Sequence, residues 1–189
     1  MNERSVLAIE MCLRLEGQVQ DFLKGLLVRL APTQSFQDKW TLFDQACRCL
    51  VSNRPLWVSG CWDFFDDDMK ARGDFNMWVQ GMLTEEGSRK EPAGAPDPYR
   101  GEIRHMTFTM ACLMVQGSPS EQALKSACTI PESRLWSAES FEHVLRSMRH
   151  LNFASVEAST MYLIPRDIGY GLTAEDLRHP KFHYLRPLI

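Results

Sequence analysis

Residues 5–15, SVLAIEMCLRL, alternate: Leu7, Ile9, Met11, Leu13 and Leu15 share one side, Glu10 and Arg14 the other. A period of two is the mark of an extended strand with one face turned to a core and one to water. Past Gly17 the period lengthens. Val19, Phe22, Leu23, Leu26, Leu27 and Leu30 recur at helical spacing, and Pro32 follows the run. A one-sided strand that leads into an amphipathic helix points to a sheet with helices packed on it.

The same alternation returns twice. Within 101–115, Met106, Phe108, Met110, Cys112 and Met114 oppose Thr107 and Thr109; within 153–164, Ala154, Val156, Ala158, Tyr162 and Ile164 oppose Ser155, Glu157 and Ser159. Four further helices fill the gaps. Ser35 with Asp38 reads as the cap of one that carries the stripe Phe36, Trp40, Phe43, Cys47 and Leu50. Another follows the acidic run Asp66, Asp67, Asp68, which complements a helix dipole, and puts Phe75, Trp78, Val79, Met82 and Leu83 on one face. The last two span 119–128 and a segment from Ser137, with Phe141, Val144, Leu145 and Met148 inward. Residues 85–98, EEGSRKEPAGAPDP within a Pro- and Gly-rich stretch, have no apolar period and are expected to form a flexible, exposed loop. The expectation is one α+β domain over 1–189, with a small, mainly antiparallel sheet of about three strands covered on one face by several helices.

Several functional classes are disfavoured on composition. A net charge of -3 over 189 residues gives no broad attraction to nucleic acid, and no apolar run is long enough for a membrane span. The opening residues, with Glu3, Arg4 and Glu10, fit neither a secretory signal nor an Arg-rich transit peptide. The six cysteines have no C-x-x-C spacing and sit mostly in apolar runs, as buried thiols of a reducing compartment would.

Motifs that resemble sites have structural explanations. Gly169, Gly171 and Ala174 match G-x-G-x-x-G/A, but Pro180 ends the following helix after about one turn, and no acid lies about 20 positions further on. Thr173 with Asp176 instead forms a capping box, with Leu172 and Leu177 as its staple. His179 and His183 share a helix face only if the helix runs through Pro180. No catalytic, cofactor-binding or metal-binding residue is assigned, and no cofactor is expected. An enzyme remains an alternative only with a site assembled from distant residues, such as His105 with Glu102 or Glu157. The aromatics Trp57, Trp62, Phe64 and Phe65, in an otherwise irregular segment, are either core fillers or a docking patch for a protein partner.

Four pieces in this order, LFDQACRCLVSNRPLWVSG, GEIRHMTFTMACLMVQG, SAESFEHVLRSMRHL and EASTMYLIPRDIGYGLTAEDL, resemble a family of uncharacterised cyanobacterial and plastid proteins. That family includes the plant chloroplast protein needed for acclimation to fluctuating light. Its pattern falls here on Trp57 and Gly60, then on Pro165, Asp167, Gly171, Leu172 and Thr173, all of them structural positions. Family members are usually anchored by an upstream hydrophobic segment, whereas this sequence starts almost at its first strand. The resemblance implies a non-enzymatic accessory or regulatory protein, peripheral to the thylakoid membrane and acting on protein partners such as a membrane complex. A constitutive subunit of a photosynthetic or respiratory assembly is the alternative it leaves.

Overall fold

The computed structural model describes residues 3–31, 34–81, 101–166 and 171–189. The expected loop at 85–98, Pro32, Met82, Leu83, Asp167 and Gly169 lie outside them. One antiparallel sheet organises the rest. Its strands are β1 (Arg4–Arg14), β2 (Trp57–Phe65), β3 (His105–Val115), β4 (Val156–Ile164) and β5 (Arg186–Pro187), in the order β4-β3-β1-β2-β5. The α-helices are α1 (Gly17–Arg29), α2 (Phe36–Ser52), α3 (Asp68–Gly81), α4 (Pro119–Ala127) and α5 (Ala138–Met148).

The α+β class holds, but the sheet has five strands rather than about three. The strand missed is β2, because the alternation in WVSGCWDFF is interrupted at Gly60. Gly60 lies opposite Met11 on the main-core side, where the Phe141 ring of α5 occupies the place of a side chain. β5 has only two residues and carries no readable period.

The main core lies on the predicted side of β1 and β3, but β4 turns Met161 and Leu163 to it, and Ala158, Tyr162 and Ile164, expected on its dry side, lie on the other face. Leu7, Ile9, Met11 and Leu13 of β1 join Met106, Phe108, Met110 and Cys112 of β3 beneath Leu23 and Leu26 of α1, Phe43 and Leu50 of α2, and Phe141 and Leu145 of α5. Cap chemistry positions these helices as the sequence indicates: Ser35 Oγ accepts from Asp38 N at 3.1 Å, and Ser137 Oγ accepts from Ser140 N at 3.2 Å.

The second face is where expectation and structure part. It is not wet. β1 is buried at every position from 5 to 13, as β3 is from 106 to 114. At one end α3 lays Ala71, Phe75 and Trp78 on Val6, Ala8, Ala111 and Leu113. At the other the C-terminal segment crosses as a strap, whose Leu172 and Phe182 pack with Tyr162 and Ile164. The strap is tied down along its length. His105 N donates to Leu172 O at 2.8 Å, Leu172 N donates back to His105 O at 2.7 Å, β5 pairs with β2, and Ile189 N reaches Trp136 O at 3.2 Å. The expected capping box is present, with Asp176 N donating to Thr173 Oγ1 at 3.0 Å and Thr173 N to Asp176 Oδ2 at 2.7 Å, although the turn it opens is only the 3-10 turn Asp176–Arg178.

A Cβ at position 60 would stand 2.6 Å from Phe141 Cε1 and 2.9 Å from the Glu10 carbonyl oxygen. The ring has the main core behind it and the carbonyl belongs to the central strand. Gly60→Ala is therefore expected to cost about 1–3 kcal/mol through overpacking, read as a lower midpoint in urea unfolding. Gly73→Ala, in an exposed helix position with nothing within 4 Å, should instead be neutral or stabilising in the same experiment.

Candidate functional site

The second sheet face holds the chemically unusual residues of this chain. The β register sets a row across it: Tyr162 opposes Thr109, Thr109 opposes Glu10, and Glu10 opposes Cys61. The adjacent row runs from Thr107 through Cys12 to Ser59. Alternation sends these side chains to one face, and the strap and the end of α3 close over them.

Glu10 is the centre. It is 0% exposed, and its Oε2 accepts a hydrogen bond from Tyr184 Oη at 2.9 Å, across 174 residues of sequence. The Tyr184 ring stands edge-on to Trp78 of α3, 5.8 Å between centroids, so the strap and α3 meet above the carboxyl. Burial drives the Glu10 pKa upward. The hydroxyls of Thr107 and Thr109 and the Tyr184 bond hold it down in part. Thr109 also meets Tyr162, whose pKa is raised by burial and by Glu10 and lowered by the Thr109 hydroxyl, so one carboxyl, two threonines and two tyrosines form a single cluster.

Two further acids adjoin it. Asp74, on the inner side of α3, accepts from Trp78 Nε1 at 3.0 Å; burial, and then the charge of Asp63, push its pKa up to about 6. Asp63 is raised by burial, and Cys61 is pushed up to about 12 by burial, then by Asp63, Glu10 and Asp74, with Arg186 of β5 acting the other way. The thiols of Cys12 and Cys61 are thus protonated and unreactive at neutral pH, and all six cysteines are free.

The residues singled out from the sequence fall elsewhere. Trp62 belongs to the main core at 7% exposure, and its indole N–H donates to Leu135 O at 3.1 Å. Trp57 is half-buried and donates to Leu50 O at 3.0 Å; Phe64 packs on the main core and Phe65 on the α3 side. β2 lays Trp57, Trp62 and Phe64 on the main core and Phe65 on the α3 side. Gly171 has φ +73, and a Cβ there would stand 2.9 Å from the His105 carbonyl oxygen, so the strap's bridge to β3 needs glycine. Leu172, Thr173 and the buried Pro165 are structural in the same sense.

His105 and Glu157 do not form a site. They occupy opposite ends of the sheet, His105 opening β3 and Glu157 beside Arg4 and Arg72, to which it is ion-paired. His179 and His183 are exposed and locally engaged, with His179 Nδ1 accepting from Lys181 N at 3.4 Å and His183 Nε2 meeting Arg178 O at 3.0 Å. Arg149 is paired with Asp44 at 2.7 Å. An open groove of roughly 390 Å³ between α1 and α2 is lined by Phe22, Gln45, Arg48 and Cys49 among others. Among the described residues no group of three His, Cys, Asp or Glu side chains is placed to hold a metal ion, and no helix is long and apolar enough to cross a membrane.

Comparison with protein-family models, with curated proteins and with solved structures finds no match to this chain. Sequence reasoning missed the Glu10 cluster, since a Glu opposite threonines has the same letters whether the face is wet or covered. The one signal for it is the strap's Tyr184, whose hydroxyl finds its partner in Glu10 although the residue itself is 40% exposed.

A buried acid with a raised pKa makes the folded state hold its proton more tightly than the unfolded chain, so its contribution to stability falls as pH rises from the unfolded value to the folded one. For Asp74 that window runs from 3.8 to about 6. Asp74→Asn should match wild type near pH 4 and exceed it above pH 6 by at most about 3 kcal/mol, measured by urea unfolding across that range. A variant less stable than wild type at pH 7 would show that the fold uses the ionised carboxylate.

Proposed function

We propose that this chain is a non-enzymatic accessory or regulatory protein that works through protein contacts at a photosynthetic membrane. The contact half of the reading is supported by the outward face of α3. Met69 and Met77 are 83% and 65% exposed, and Gly73 lies between them with open space where a side chain would be. Positions i, i+4 and i+8 of a helix share one stripe. The inward face, with Ala71, Phe75 and Trp78, already covers the sheet, so the methionines contribute nothing to the core. Flexible, polarizable methionines flanking a glycine gap suit an adaptable protein contact. The location, and a membrane complex as partner, rest on the sequence resemblance alone.

The test is to express the tagged chain in a cyanobacterium, isolate thylakoid membranes and separate mild detergent extracts by native electrophoresis. The wild-type chain is expected to sediment with the membranes and migrate with a larger complex. Met69→Asp with Met77→Asp should move it to the soluble fraction without lowering its thermal midpoint, because both side chains are exposed. A wild-type chain that is free and monomeric in those extracts overturns the reading.

A further inference from the structure

Residues 177–189, LRHPKFHYLRPLI, carry three Lys or Arg, two His and no acid, in a chain whose net charge is -3. The strap lays this run across the outside of the second sheet face. Arg178, His179, His183 and Arg186 are exposed, and Lys181 is half-buried, with its ammonium 4.9 Å from the centre of the Phe182 ring. Arg166, exposed two residues past the end of β4, stands beside them, since Ile164 and Phe182 share one small core. The path of the strap is fixed by the bonds of Leu172 to His105 and by the pairing of β5 with β2, so the cations are presented without first ordering a loose tail.

Elsewhere in the fold arginines are neutralised. Arg48, Arg72 and Arg146 each pair with an acid one helical turn before them, and Arg54 pairs with Glu139 and Glu142. Among the described residues no carboxylate is ion-paired with Arg166, Arg178 or Arg186. Glu175 and Asp176, the acids just before the run, lie outside it, and Asp176 is turned onto Thr173. The acidic stretch Asp66, Asp67, Asp68 belongs to the far end of the sheet, where Asp68 accepts from Arg4 N at 2.8 Å. A surface that comes within a Debye length, about 10 Å at 0.1 M salt, therefore meets the strap's own positive charge rather than the net negative charge of the chain.

The arrangement also selects the partner. A single phosphate or carboxylate is gripped by donors that converge on one point, whereas these cations are spread along a segment that crosses the sheet. A layer of anionic headgroups engages such a spread all at once. Among the cations stands Tyr184, 40% exposed, with its hydroxyl turned inward to Glu10, so that the part it shows outward is ring. Basic side chains around an exposed aromatic are the composition of a surface that rests at the headgroup level of a bilayer. We propose that the outer side of the C-terminal strap docks on an anionic lipid bilayer, with Arg166, Arg178, Lys181 and Arg186 on the headgroup phosphates. The docking needs no protein partner and does not use the methionine stripe of α3.

The experiment floats the purified chain with vesicles of phosphatidylcholine containing phosphatidylglycerol and with vesicles of phosphatidylcholine alone, and applies it separately to immobilised polyglutamate. Binding is expected to the anionic vesicles only, and to fall as sodium chloride is raised. Arg178→Gln with Arg186→Gln should weaken it about 30-fold, roughly fivefold for each charge lost, with the thermal midpoint unchanged because both side chains are exposed. Arg166→Gln carries the test, at roughly fivefold, if that pair does not fold. Met69→Gln with Met77→Gln should leave vesicle binding as it was, so a failed protein contact on α3 and a failed docking of the strap are read separately. No flotation with anionic vesicles, equal flotation with and without phosphatidylglycerol, or undiminished flotation of the arginine variants overturns the proposal. Capture by polyglutamate without flotation also overturns it and assigns the strap to an acidic protein.

Discussion

The structure depends on a central strand that is dry on both faces. β1 pairs with β2 on one side and β3 on the other, and every residue from 5 to 13 is buried. A strand so enclosed must have both its side-chain rows covered, and this chain covers them by different means. α1, α2 and α5 provide an apolar layer over Leu7, Ile9, Met11 and Leu13. The opposite row is divided between α3, over Val6 and Ala8, and the strap, whose Tyr184 reaches Glu10. Glu10 sits where an apolar residue would be expected, and its environment has adapted to it with threonines and tyrosines rather than with a cationic partner.

That arrangement gives the C-terminal segment a role beyond filling. Phe182 and Leu172 attach it by apolar packing, while the mutual backbone bonds of His105 and Leu172 and the pairing of β5 with β2 fix its path. Tyr184 sits between these anchors. Its hydroxyl contacts the middle of the sheet and its ring contacts α3, so the position of the strap and the state of the carboxyl are coupled. The coupling runs through a short segment with a small core of its own, the kind of element that opens before the main core does.

Much of the frame was legible because its signals are local. Alternation marked β1, β3 and β4, helical stripes marked the helices, and Ser35, Ser137 and Thr173 announced turns whose bonds are all present. The main-core rows of β1 and β3 could be named from those periods, whereas on β4 the row that enters it, with Met161 and Leu163, is the opposite of the one expected. What escaped is non-local. The pattern of β2 is broken by Gly60, and the group that explains the break, Phe141, is supplied by a helix far along the chain. Trp62 looked surplus for the same reason, since its indole partner, Leu135 O, also comes from a distant segment. Glu10, Thr107 and Thr109 read as a solvated row, because alternation reports that two faces differ in polarity and is silent on whether anything covers the polar one. Only α3 and the strap decide that.

The proton on Glu10 links the two halves of the second face. Burial favours the neutral carboxyl, and the hydroxyls of Thr107, Tyr184 and Thr109 act the other way. Asp74 obeys the same rule on α3: its carboxyl accepts from Trp78, whose ring meets that of Tyr184, and burial drives its pKa up to about 6. Raising the pH therefore adds buried charge on both sides of the Tyr184 contact, and the stability lost with it is lost where the strap and α3 meet.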